Sequence, residues 1–282
     1  MKRIFRIVSL FLAVMSLSAF SSCSKKTTEA VFDDFVIYNV SVCGADNIAP
    51  YYHRALEKYT DESAPKRMAV EFLGRKYVCD YNHTYIKPPY LTPQNQYSGG
   101  EERDGVCFEV DSKNGKLTYI LPGNTQMEYE RIGWGKAREY ADKIAAEYID
   151  INEYYVAQLP NTNVGKDSYP PYEFEYYRKV GGYKTLDAIK IELFSDGGLR
   201  AFYAWDVGSF EGIESVRIDE EKVKAALDEQ LRQLYGDKMQ WYGRRSVELV
   251  RISETKFGIF YRISVEYKSG VSEAISLILV SK

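Results

Sequence analysis

Alternation of apolar and polar residues with a period of two is the feature that most constrains this fold. Apolar residues occupy every second position from Phe257 to Val265, and Lys268-Ser269-Gly270 leads into another apolar run. Such alternation around a turn predicts an antiparallel hairpin with one buried face. The pattern also occurs at residues 106–121 and 189–205, around Asn114-Gly115 and Gly197-Gly198. The chain is therefore expected to be rich in antiparallel sheet.

Helices with one apolar stripe are expected between these hairpins. Asp219 and two glutamates precede apolar residues at helical spacing from Val223 to Leu234, and Gly236 follows them. An acidic N-cap, first-turn carboxylates and a terminal glycine are helix start and stop signals. Residues 136–149 and 51–59 show similar stripes.

The order of these elements predicts an α+β fold of repeated helix-on-antiparallel-sheet units. A helix followed by about three strands occurs three times, at residues 33–130, 131–212 and 213–282. Each helix is expected to cover one face of a sheet. The outward faces are expected to carry many of the 25 tyrosines.

Two stretches resemble PepSY units. Residues 108–120 contain a strand, the turn Asp111-Ser112-Lys113-Asn114-Gly115 and a second strand, and an alanine-bearing helix follows at residues 137–148. Residues 191–205, followed by residues 218–223, repeat this order, so the resemblance covers about residues 105–235. It implies an envelope domain like those of protease propeptides and exported lipoproteins, which bind or restrain peptidases, and it implies no catalytic residues. The last unit lacks a following helix, and a cystatin-like arrangement is the alternative.

The first residues resemble a bacterial lipoprotein signal. Lys2, Arg3 and Arg6 precede an uncharged apolar run of residues 7–20, which is too short for a membrane span. Ser21-Ser22-Cys23 is similar to a lipobox, with Phe20 in place of the usual leucine. The resemblance implies removal of residues 1–22, lipidation of Cys23, a linker over residues 23–32 and anchoring in the cell envelope. An ordinary secretory signal is the alternative, and both predict export.

The charge of the mature chain argues against nucleic acid as a partner. Removal of the three basic residues of the signal leaves 34 of the 37 lysines and arginines against 40 acidic residues. Binding to phosphates requires a concentration of positive charge, which this sequence lacks.

Three cysteines remain if Cys23 is lipidated, namely Cys43, Cys79 and Cys107. Cys79 and Cys107 both fall in predicted strands of one unit, so a disulfide between them is one interpretation for an exported protein. Three buried thiols are the other.

Two long loops, residues 87–105 and 160–172, each contain the sequence Pro-Pro-Tyr. Proline stiffens such segments toward an extended form, and loops of this length are often functional. We expect Tyr90, Tyr169, Tyr172 and Trp205 to contact a partner. Plain linkers are the alternative for both loops.

Motifs that carry chemistry are scarce in this sequence. His53 and His83 are its two histidines, so no histidine-rich metal site is expected. Ser63-Ala64-Pro65-Lys66 matches S-x-x-K without its companion motifs, and no phosphate-binding loop occurs. We therefore expect no enzyme, metal or cofactor, but an exported protein that binds a protein or peptide. The alternative is binding of a glycan or small molecule, with Trp134, Trp205 or Trp241 as stacking platforms.

Overall fold

The computed structural model describes residues 28–32, 35–39, 58–85, 93–99, 105–123, 130–159, 172–252 and 256–281. Two α-helices lie in these ranges, α1 (Trp134–Ala145) and α2 (Glu220–Tyr235), with short 3-10 helices at Ile151–Glu153 and Gly236–Lys238. The strands are β1 (Thr28–Phe32), β2 (Phe35–Asn39), β3 (Arg67–Phe72), β4 (Arg75–Tyr85), β5 (Gln94–Gly99), β6 (Val106–Asp111), β7 (Leu117–Leu121), β8 (Tyr155–Leu159), β9 (Tyr172–Val180), β10 (Tyr183–Leu193), β11 (Leu199–Trp205), β12 (Ile213–Ile218), β13 (Met239–Arg251), β14 (Phe257–Tyr267) and β15 (Ser272–Ser281). None of the helices within these ranges is long and apolar enough to cross a membrane.

Both predicted helices that lie in the described ranges are confirmed. The N-cap of α2 is Asp219, whose side chain accepts a hydrogen bond from the backbone N–H of Lys222 at 3.0 Å. Val223, Leu227 and Leu231 form its buried stripe. The buried stripe of α1 consists of alanines, which allow the helix to approach the sheet closely. The third candidate helix falls on residues outside the described ranges except at its end, where Tyr59 forms an antiparallel bridge with Thr84.

One large sheet joins most of the strands. Its order in the described residues is β2-β15-β14-β13-β10-β11-β7-β6-β5-β4-β3, with β9 also beside β10 and β8 beside β9. The three predicted hairpins are present in it as β6–β7, β10–β11 and β14–β15. The pairing is antiparallel throughout this sheet except between β10 and β13. A separate parallel pair consists of β1 and β12.

Strand β10 pairs with one strand near its beginning and with another strand further along. We call this change of partner the fork, and it divides the sheet into two halves. Lys184 and Thr185, near its beginning, pair with β13, whereas the residues from Ala188 onward pair with β11. The register with β9 shifts between Lys184 and Ala188. The first half therefore contains β3–β11, and the second half contains β2 and β13–β15.

Each half carries one helix on one face. In the first half, α1 packs on an apolar row that crosses the strands in register, namely Tyr97, Phe108, Ile120, Phe202, Ile191 and Phe174. In the second half, α2 packs on the inward residues of β14 and β15, together with Phe32 of β1 and Phe210. A mixed, sheet-rich α+β fold is thus confirmed, with two cores.

The predicted division into three repeated units is not supported by the pairing. Strand β7 pairs with β11, and β2 pairs with β15, so strands assigned to different units share one sheet. The core under α1 likewise draws on residues on both sides of the boundary at residue 130. The predicted linker over residues 23–32 is also wrong from Thr28 onward, because these residues form β1 and its Ala30 and Phe32 are fully buried.

Candidate binding face

The face of the first half opposite α1 is polar and aromatic. Its central row crosses seven strands in register, from His83 through Gln96, Glu109, Tyr119, Tyr203 and Lys190 to Glu175. We call this row, with its same-face neighbours Tyr85, Tyr177, Glu173, Glu192 and Trp205, the polar face. Strand alternation places it one residue out of phase with the apolar row beneath α1.

Aromatic rings form the middle of the polar face. The ring centroids of Tyr119 and Tyr203 are 4.9 Å apart, and those of Tyr203 and Trp205 are 5.9 Å apart. Desolvation, followed by the charge of Glu192, raises the pKa of Tyr203 to about 12. Desolvation also raises the pKa of Tyr119. Both hydroxyls therefore remain neutral donors at ordinary pH.

A lysine between two glutamates lies beside these rings. Lys190 Nζ is 2.6 Å from Glu192 Oε1 and 3.5 Å from Glu173 Oε2, and it sits 4.8 Å from the centroid of the Tyr203 ring. Arg200 Nε lies 3.8 Å from the other Glu192 oxygen. Lys190, Glu173 and Glu192 are mostly buried, so their mutual contacts fix their positions, whereas the side chain of Arg200 is exposed.

Glu109 lies beside Tyr119 in the central row, on the side away from Tyr203. It is 2% exposed and accepts hydrogen bonds from the Tyr85 hydroxyl and, at 3.3 Å, from Gln96 Nε2. His83 packs its ring 5.2 Å from that of Tyr85. Desolvation, and to a lesser degree the Lys58 ammonium, lowers the pKa of His83, which favours the neutral imidazole.

A second lysine links the polar face to the other half of the sheet. Lys184 Nζ lies 2.7 Å from Glu175 Oε1 on β9 and 3.3 Å from Glu248 Oε1 on β13. Its ammonium is also 5.2 Å from the centroid of the Tyr177 ring. The two halves are thus connected by an ion bridge as well as by the backbone of β10.

The fork itself is organised by Asp187, which is fully buried. Its Oδ1 accepts hydrogen bonds from Tyr154 Oη at 2.5 Å and from the Gly208 N–H at 3.0 Å. Its Oδ2 accepts one from the Phe210 N–H at 3.1 Å and lies 3.3 Å from Arg178 Nε. One carboxylate therefore ties β9, β10 and the β11–β12 loop together, which positions Phe210 in the second core.

The structure places two of the four predicted contact residues. Trp205 lies on the polar face and is half-buried. Tyr172 is 1% exposed on the opposite face, where its hydroxyl donates to the Ile132 carbonyl and its ring centroid is 4.8 Å from that of Trp134. The prediction that Tyr172 contacts a partner is therefore wrong, because this side chain is part of the first core. Tyr90 and Tyr169 lie outside the described residues, as does Cys23.

The predicted disulfide is not formed. Cys79 and Cys107 are separate thiols in the structure. Strand β5 lies between β4 and β6, which separates the two backbones by about 10 Å at the usual strand spacing, and a disulfide needs Cα atoms within about 7 Å. Cys79 also points into the first core. Cys107 lies on the opposite face of the sheet, where it is in register with Ser98 of β5 and Asp80 of β4.

Sequence reasoning missed Glu109, Lys190 and Glu192 as site residues. All three occupy polar positions of alternating strands, a pattern that predicts an outward side chain without predicting its neighbours. Their convergence depends on the β7–β11 pairing, which joins strands distant in sequence. Within the described residues, no group of three or more His, Cys, Asp or Glu side chains is placed to hold a metal ion.

Comparisons with known proteins leave the family open. No family model matches the chain, and no curated protein matches it. Among solved structures, the Bacillus megaterium YpeB C-terminal domain matches with 12% identity over 76% of this chain and 91% of that domain, at a TM-score of 0.33. A TM-score this low carries no argument about fold or function.

Proposed function

We propose that this chain is an exported, non-catalytic lipoprotein of the bacterial cell envelope that binds a protein or peptide partner on its polar face. The observation that carries the proposal is the polar face itself. Both described helices pack on the opposite side of the sheet, and rings and paired charges are held in fixed positions on this side. Tyr, Trp and Arg are the residue types enriched at the energetic centres of protein interfaces.

The export and anchoring part of the proposal rests on residues 1–23, whose pattern is that of a lipoprotein signal. Lipidation at Cys23 would hold the domain at a membrane surface, since two or more acyl chains give a stable anchor. The partner class rests on the PepSY resemblance of residues 105–235, which favours a secreted peptidase. The chain would then act by binding such an enzyme rather than by reacting with it.

A comparison of matched variants tests this proposal. The mature full-length chain is immobilised and exposed to envelope extract of its native host, together with the variants Tyr203→Ala and Trp205→Ala. We expect both variants to retain at least tenfold less partner than the wild type, the effect of removing a central interface residue. Trp241→Ala is the control, because Trp241 is 58% exposed on β13, outside the polar face. Absence of any retained partner, or an equal loss in the control, would contradict the proposal.

Glycan binding is a second candidate, and the row Tyr119, Tyr203 and Trp205 favours it. Three neighbouring aromatic rings flanked by carboxylates can stack on a sugar ring and accept hydrogen bonds from its hydroxyls. A panel of glycans is expected to quench the fluorescence of Trp205. Quenching that persists in Trp205→Phe and disappears in Trp241→Phe would rule out this site.

A further inference from the structure

Strand β8 forms an outer edge of the sheet next to the polar face. Its residues Tyr155–Leu159 pair with β9 on one side, and no backbone hydrogen bond on the other side joins them to any described residue. Folded proteins usually protect such edges with charged residues. The edge strand β3 follows this rule with Arg67 and Glu71, whereas β8 contains no charged residue. Strand β8 can therefore pair with a further strand.

Lys179, which has no acidic partner among the described residues, lies at this edge. Lys179 Nζ sits 4.2 Å from the centroid of the Tyr155 ring and 5.7 Å from that of Tyr177. Lys184 and Lys190 each contact two glutamates, but no carboxylate of the described residues lies within ion-pair distance of Lys179. Tyr155 is 54% exposed, so its ring and the ammonium above it are open to a strand added at β8.

We propose that β8 receives an extended segment of the partner polypeptide as an additional strand, with an acidic side chain beside Tyr155 that pairs with Lys179. This rests on the proposed function and adds the mode of binding and the chemistry of the partner. Backbone hydrogen bonds supply affinity in such strand addition, and alternate side chains supply specificity. A second copy of β8 fits less well, because its sequence YVAQL offers no acidic side chain.

Three synthetic peptides test the proposal on the full-length mature chain. The first alternates threonine and valine around a central glutamate, the second has lysine in place of the glutamate, and the third carries N-methyl groups on alternate residues of the first. Fluorescence anisotropy is expected to give a Kd for the glutamate peptide about fivefold lower than for the lysine peptide, the size of a cross-strand charge effect. The N-methylated peptide is expected not to bind, and hydrogen exchange should slow at residues 155–159 but not at 67–72.

Charge reversal makes the test specific. Lys179→Glu is expected to reverse the preference, so that the lysine peptide binds more tightly than the glutamate peptide. Lys113→Glu changes the net charge equally on an exposed turn and should leave the preference unchanged. Failure of the glutamate peptide to bind, or equal binding of the N-methylated one, would overturn the inference. If that occurs while Tyr203→Ala still loses the envelope partner, the proposed function stands and strand addition at β8 does not.

Discussion

Replacement of Asp187 by alanine tests how the two halves of the sheet are held together. The carboxylate accepts three hydrogen bonds and pairs with Arg178, whose side chain is itself 17% exposed. Its removal would leave a buried tyrosine hydroxyl and two backbone N–H groups short of an acceptor, and the guanidinium of Arg178 would keep only its ion pair with Glu153 at 2.7 Å. Loss of one partner of a buried ion pair costs about 3–5 kcal/mol. Each hydrogen bond to a charged group contributes about 1.5–3 kcal/mol, and these values do not add fully. We therefore expect a loss of about 4 kcal/mol in the free energy of unfolding.

Urea denaturation followed by tyrosine and tryptophan fluorescence measures this loss. With a slope of about 2–3 kcal/mol per molar urea, the midpoint should fall by more than about 1 M. Asp80→Ala is the matched control, because its side chain is 77% exposed and its contact with Arg67 spans 3.6 Å. Exposed ion pairs contribute about 0–1 kcal/mol. If Asp187→Ala shifts the midpoint no more than Asp80→Ala does, Asp187 does not hold the fork together.

Three further predictions concern local features of the fold. Asp219→Ala should lower the unfolding free energy by about 1 kcal/mol through loss of the α2 N-cap, whereas Asp219→Asn should nearly restore it in thermal melts. Gly197→Ala should destabilise the fold more than Gly182→Ala in urea denaturation. Both glycines have positive φ, but a Cβ at Gly197 would lie 2.6 Å from the Tyr140 ring, whereas nothing lies within 4 Å of one at Gly182. Burial raises the pKa of Tyr203 to about 12, so the folded state keeps this proton while the unfolded state loses it near pH 10. The stability that this raised pKa contributes to the folded state is thus complete below about pH 10 and is lost as the pH rises through 12. Tyr203→Phe should flatten the decline of stability with pH over that window.

Local features were predictable because their causes lie within a few residues. The turn glycines Gly115, Gly197 and Gly270 have positive φ, which explains why the sequence marks these hairpins clearly. The capping of α2 by Asp219 follows from the same kind of local signal. These features did not require knowledge of which strands become neighbours.

Pairings between distant strands were not predictable from the pattern. Strand β2 pairs with β15, and β1 pairs in parallel with β12, although more than 180 residues separate the partners in each case. Alternation tells which side chains of a strand share a face, but it does not tell which strand lies next to it. Tyr172 illustrates the consequence. A tyrosine after two prolines suggested an exposed contact, yet it begins β9 on the face covered by α1.

The ion bridges of β9 and β10 require an explanation other than stability. Lys184 and Lys190 each lie between two glutamates, with side-chain exposures of 26% and 19%. Apolar side chains of similar volume often stabilise a protein at least as well as such partly desolvated pairs, because desolvation offsets the attraction between the charges. The bridges do, however, fix each ammonium near a tyrosine ring, at 5.2 Å from Tyr177 and 4.8 Å from Tyr203. Charges and rings held in fixed positions lose little entropy when a ligand binds, which favours recognition as the role of this face.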